Sequence, residues 1–269
     1  MSTWSKFSIL GVPSILIVTL CSSVSSEAAQ TAKPKSAEPI MQPASESCTA
    51  QWLSQNPTPP PNETYKQYVR NAEVFGKTCL GIPGWAPIDW NKVRDDLAGL
   101  IDDNSPIVAD DPADVATFCP AYEADTPHQR AVFWRELLFQ IVKPEAGTNA
   151  NSFMWEQPQD KQKLPVGNGE FSIGLLQLSI SNARPYHCDV PEEKSLLDEK
   201  VNLACGVKIL NRLVSRHSLI GGDQSHGRWG AAAYWSTIRV PSQKPSQSGG
   251  KDTRTSIIKA VKALPECSA

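Results

Sequence analysis

Glu145 stands at the end of an apolar run, in Lys143-Pro144-Glu145-Ala146-Gly147, with Phe133 to Val142 before it and Phe153, Met154 and Trp155 after it. A carboxyl set among apolar groups resists ionisation, because burial penalises the charged form. One that stays protonated near neutral pH can give its proton to a leaving oxygen. That is what cleavage of a glycosidic bond requires. Position alone does not decide, since a glutamate capping a helix end reads the same way. Farther along stand Ser172 and Gly174-Leu175-Leu176-Gln177, where a glycine lets a sugar ring approach the backbone and a glutamine supplies both a donor and an acceptor. Tyr234, after Ala231-Ala232-Ala233, can hydrogen-bond the Glu145 carboxyl and hold it at one angle. Trp155 and Trp235 offer flat faces to a sugar, although all three aromatic residues also read as core.

These residues need a frame, and helical spacing dominates the chain. Thr126-Pro127 predicts an N-cap with proline in the first turn. Phe133, Trp134, Leu137, Leu138, Ile141 and Val142 then recur at three- and four-residue spacing until Pro144, which leaves Glu145 just past the helix. Val93, Leu97, Leu100 and Ile101 mark an earlier helix. A long one is expected to begin near Leu196 to Asp198, with Val201, Ala204, Val207, Leu210, Leu213 and Val214 inward, and shorter ones fall near 228–234 and 256–264. No alternation of four or more residues is sustained, so any sheet is small and the fold is mainly α.

The chain opens with an apolar stretch from Ile9 to Leu20 that is too short to span a bilayer and is interrupted by Pro13; it reads as a signal peptide over 1–28. Leu20 before Cys21 argues against a lipoprotein, so an exported, periplasmic or secreted protein is expected. A Pro/Ala/Ser-rich arm over 29–62 leads into one domain over 63–269, with Cys48 and Trp52 suggesting that the arm is pinned to the body. Beyond the signal lie six cysteines, at 48, 79, 119, 188, 205 and 267, an even set for an oxidising compartment. They allow fifteen pairings, among which sequence does not choose; joining near neighbours gives Cys48 with Cys79, Cys188 with Cys205, and Cys119 with Cys267. No Cys-x-x-Cys and no His-Glu-x-x-His occurs, so neither a metal nor a cofactor is expected. The 26 basic and 28 acidic residues nearly cancel, but residues 89–125 carry ten acids against two bases, while residues 206–269 carry ten bases against three acids. Two faces that attract each other explain this, or an acidic wall meeting a cationic substrate. Without a basic, aromatic-bearing stripe, nucleic acid is excluded as a partner; a monomer without a membrane span is expected.

The order Glu145-Ala146, Gly174-Leu175-Leu176-Gln177, Asn202 with Gly206, and Ala233-Tyr234 resembles the lysozyme-like superfamily in its soluble lytic transglycosylase and goose-type lysozyme branch. There a Glu-small pair ends a helix, and Gly-Leu-Met-Gln, an Asn and Gly in the next helix, and Ala-Tyr-Asn-Ala-Gly follow. The similarity covers about 131–239. It implies a mainly helical fold with Glu145 as catalytic acid and base, in a cleft binding the peptidoglycan strand between N-acetylmuramic acid and N-acetylglucosamine. Ala146 stands for the family's serine, and Trp235-Ser236 replaces Asn-Ala after the tyrosine. A hydrolase needs a second carboxylate, whereas a lytic transglycosylase lets the sugar's own hydroxyl attack. The resemblance implies helper acids just before and just after the Gly-Leu-x-Gln run. Before it the candidate is Glu170, with Asp160 and Glu156 farther off; after it stands Ser179, which is no carboxylate. The acidic segment raises the further expectation of a preference for N-deacetylated peptidoglycan, whose free amines are cationic. The competing reading is a cell-wall binding or inhibitor module on the same fold that does not cut.

Overall fold

The computed structural model describes residues 47–56, 65–156, 169–222, 229–240 and 253–268. The expected signal segment, Asp160 and most of the arm lie outside these residues. In chain order the helices are α1 (Cys48–Gln55), α2 (Tyr65–Leu80), α3 (Trp90–Leu100), α4 (Val115–Phe118) and α5 (Pro127–Ala146); a hairpin of β1 (Phe153–Glu156) and β2 (Glu170–Ile173) follows, then α6 (Ile180–Ala183), α7 (Glu199–His217) and α8 (Thr253–Lys262). The fold is mainly α with a two-stranded antiparallel sheet. Among the described residues no helix is long and apolar enough to cross a membrane.

Helix α5 is the axis. Its N-terminus is a capping box: the Gln129 N–H donates to the Thr126 hydroxyl while the Gln129 side-chain oxygen accepts from the Thr126 N–H. From Phe133 to Val142 nearly every side chain is buried, on all sides of the helix. A helix apolar all round belongs in the middle of a core, and α3, α8 and the short turns Pro106–Ala109, Ser236–Ile238 and Pro265–Cys267 pack against it. The one acid in this stretch, Glu136, is neutralised by Arg94 of α3 at 2.5 Å and accepts from Gln140 at 2.6 Å. The helix does not stop at Pro144. That residue has no N–H to give, but its fixed φ tolerates a last turn, which Gly147 closes by donating to the Lys143 carbonyl at 3.0 Å. Glu145 is therefore within the helix rather than just past it.

The three disulfides are Cys48–Cys79, Cys119–Cys267 and Cys188–Cys205, the near-neighbour set. Cys48–Cys79 binds α1 to the end of α2, Cys119–Cys267 anchors the C-terminal segment, and Cys188–Cys205 ties a loop to α7. Such a set fits an oxidising compartment, the periplasm or the cell exterior. The chain over 48–55, read from composition as part of the arm, is a helix whose Trp52 is buried against Tyr68 and Phe75. Burial of a large indole outweighs a weak local preference.

Candidate active site

Glu145 projects from the last turn of α5, and its Oε1 accepts a hydrogen bond from the Thr237 hydroxyl at 2.9 Å. Thr237 lies in the turn Ser236–Ile238, and its own carbonyl accepts from Thr253 at the start of α8. Burial pushes the Glu145 carboxyl up to about 7; the Thr237 hydrogen bond works against this, and the charge of Glu156 adds to it.

The hairpin explains why Glu156 is there. Side chains alternate across a strand, so Phe153, Trp155, Phe171 and Ile173 turn to the core while Met154, Glu156, Glu170 and Ser172 share the opposite face. Glu156 and Glu170 are cross-strand partners on that face. Glu156 accepts from the Ser172 hydroxyl at 3.0 Å. Glu170 points the other way along the rim, accepting from Asn182 at 3.0 Å and from the Ser181 hydroxyl. Of the two carboxylates on this small sheet, the charge of Glu156 bears on Glu145 and that of Glu170 on Tyr234, and among the described groups no cation is paired with either of them.

The Gly174-Leu175-Leu176-Gln177 loop is the joint that carries the hairpin on α7. The fully buried Asn202 donates to the Ile173 and Leu196 carbonyls at 2.8 Å each and accepts from the Leu176 N–H at 2.9 Å. Gly174 adopts φ +76, and a Cβ on it would run into the Asn202 amide and the Leu196 carbonyl. Gly206, one turn along, leaves room for Leu176 in the same way. The close approach that Gly174 permits is thus to Asn202 of the protein itself rather than to a sugar. Leu175 and Gln177 are likewise buried, the Gln177 amide donating to the Gly174 carbonyl at 2.8 Å from a left-handed backbone, φ 49.

The aromatic candidates also belong to the scaffold. Trp155 is 3% exposed within a cluster with Trp52, Tyr68 and Phe171, and Trp235 is 1% exposed with its indole N–H on the Leu176 carbonyl. Neither has a face free for stacking. Tyr234 does not hold Glu145, a part taken by Thr237. Its hydroxyl accepts from the Ser179 N–H at 3.4 Å, and burial raises it, with the charges of Glu170 and Glu145 both contributing. Ser179 in turn accepts from Asn182 at 2.8 Å, so Tyr234, Ser179, Asn182 and Glu170 form one polar chain along the site. Of the groups that act on Glu145, Thr237 escaped the reading of the sequence, and Glu156 was named there only as a helper acid farther off than Glu170. The short alternation of Phe153-Met154-Trp155-Glu156 signals that Glu156 faces away from the core. Thr237 stands where the family pattern Ala-Tyr-Asn-Ala-Gly has its glycine.

No protein-family profile and no curated protein matches the chain. Solved structures do. A glutamate-to-glutamine mutant of DslA (Bd0314), a Bdellovibrio protein of lysozyme-like fold, superposes with a TM-score of 0.54 at 31% sequence identity, covering 66% of this chain and 90% of DslA. A second glutamate-to-glutamine mutant and the wild-type form give 0.53 at 30% identity, with the same coverage. The two glutamates substituted in DslA are eleven residues apart, the separation of Glu145 and Glu156 here. The chain belongs with DslA to one family of lysozyme-like fold.

Proposed function

We propose that this protein is a peptidoglycan-cleaving glycosidase that cuts the β-1,4 bond between N-acetylmuramic acid and N-acetylglucosamine. The observation that carries the reading is the pairing of Glu145, a carboxyl raised to about 7, with the carboxylate of Glu156. Glu145 protonates the leaving oxygen. Glu156, held by Ser172, takes the part of the second carboxylate that a hydrolase needs to activate water against the developing cationic sugar. We assign this part to Glu156 rather than Glu170, because Glu170 is engaged by Ser181 and Asn182, and its charge bears on Tyr234 and Glu193 instead. The matching spacing of the substituted glutamates in DslA supports the same pair. Thr237 orients the acid, and Tyr234 positions the Ser179–Asn182–Glu170 chain beside it. The order of motifs around Glu145 favours the soluble lytic transglycosylase and goose-type branch, and the second carboxylate favours hydrolysis within it.

The charge of the site supports a preference for N-deacetylated peptidoglycan. Glu156 and Glu170 are register partners on the hairpin face turned away from the core, and two unpaired negative charges there attract a protonated sugar amine and not an acetamide. The acidic stretch 89–125 is not needed for this. The experiment is digestion of purified acetylated and deacetylated walls by the wild type and by Glu145→Gln. Faster release from the deacetylated wall, with new reducing ends seen by mass spectrometry, is expected, and Glu145→Gln should bind wall without cutting it. Equal rates on the two walls remove the preference, anhydro ends alone remove the hydrolytic scheme, and full activity in a folded Glu145→Gln variant removes the assignment. Binding without cutting by the wild type returns the binding-module reading.

A further inference from the structure

Among the described residues, large hydrophobic side chains are exposed at Val74, Trp85, Met154 and Val240, and two of these lie on segments tied to those that carry Glu145 and Glu156. Met154, 44% exposed, shares the hairpin face of Glu156. Trp85 is 66% exposed, and its loop is braced against the segment that follows Glu145. The Ala86 N–H donates to the Asn149 side chain at 3.0 Å, the Ala150 N–H donates to the Ala86 carbonyl at 2.9 Å, and the Asn151 amide donates to the Gly84 carbonyl at 2.9 Å. Ser152 in turn accepts from the Gly174 N–H at 2.8 Å, so the Trp85 loop, the end of α5 and the hairpin joint form one connected frame. Pro83 and Pro87 stiffen the loop on either side. Asn149 is four residues beyond Glu145, a reach of at most about 14 Å. A single exposed tryptophan signifies little. One held out on a loop braced to the segment that leaves Glu145 keeps a flat apolar face in solvent.

We propose that Trp85 is a sugar-stacking subsite that binds an amino-sugar ring of the glycan strand away from the scissile bond, with Met154 widening the apolar rim on the hairpin side. The proposal rests on the glycosidase reading and adds to it where the strand lies. A pyranose has an apolar face of axial hydrogens that packs on an aromatic ring, and tryptophan supplies the largest such area for little loss of side-chain freedom.

The test uses the full protein carrying Glu145→Gln, which is expected to bind without cutting, and measures by calorimetry its affinity for a long soluble peptidoglycan oligomer and for a short one spanning only the scissile bond. Adding Trp85→Ala should weaken the long oligomer roughly tenfold and leave the short one unchanged, while Trp85→Phe keeps most of the affinity. In the active enzyme, Trp85→Ala should raise KM on the long oligomer at nearly constant kcat. Because the side chain is largely in solvent, thermal unfolding should match the parent. Affinity for the long oligomer within about twofold of the parent, or an equal loss on both oligomers, overturns the subsite while the wild type still cuts wall. A wild type that neither cuts nor binds glycan overturns the subsite together with the reading beneath it.

Discussion

The stretch 89–125 holds ten acids and the site around Glu145 holds three, yet it is to the smaller group that we assign the chemistry. In the stretch several of the acids are matched to donors or cations. Asp89 caps α3 through the Asn91 and Lys92 N–H groups, Asp114 accepts from the Ile220 and Gly221 N–H groups at 2.7 and 2.8 Å, Asp96 pairs with Lys92, and Asp103 meets His128. Such contacts satisfy the carboxylate oxygens and tie them to the scaffold. Glu145 has one neutral hydroxyl for company and another carboxylate as neighbour, in a partly buried place. The contrast teaches that the number of charges along a chain says little about where acid chemistry sits; what matters is whether each carboxyl is compensated.

The contrast can be broken by substitution, the largest effect coming first. Glu145→Gln should lower wall digestion by roughly a thousandfold or more, and Glu156→Gln by about a hundredfold or more, in variants that stay folded; turbidity clearance by purified protein measures both. An Asp103→Asn variant in the acidic stretch should digest wall at the wild-type rate and lose at most about 0.5 kcal/mol of stability. The next effect is on stability. The folded carboxyl of Glu145 is raised, so its contribution is fully present below the ordinary carboxylate range and is lost as pH rises through about 7. Glu145→Gln removes that titration. Chemical denaturation should find the variant gaining on the wild type above neutral pH, by on the order of 2 kcal/mol, with no such gain in acid. The smallest effect concerns the hydroxyl. Thr237 favours the ionised form of Glu145, so Thr237→Val should move the alkaline limb of the pH–rate profile, where the acid loses its proton, to higher pH.

Much of the frame was legible because it follows from local rules. The Thr126-Pro127 start of α5, the inward stripe of α7 and the scarcity of strand are consequences of capping and periodicity, and near-neighbour pairing gave all three disulfides. The site was legible in part. Glu145 stands out because an acid after an apolar run is rare, but its partners depend on contacts between distant segments. Thr237 reaches Glu145 across 92 positions of sequence, a closure no local pattern announces. Glu156 acquires its place from a four-residue hairpin whose alternation is too brief to read with force. Glycine, glutamine and the tryptophans were read as ligand contacts because their chemistry suits a sugar; in the folded chain the same properties serve Asn202, Leu176 and the core.

The central claim is that Glu145 keeps its proton near neutrality, by burial and by facing Glu156. Carbon NMR of the labelled glutamate side chains, titrated in the wild type and in Glu156→Gln, tests it most directly. The Glu145 signal should titrate with a midpoint of about 7 in the wild type and at a lower pH once the Glu156 charge is gone. A midpoint in the ordinary carboxylate range, or one that Glu156→Gln does not move, would contradict the account.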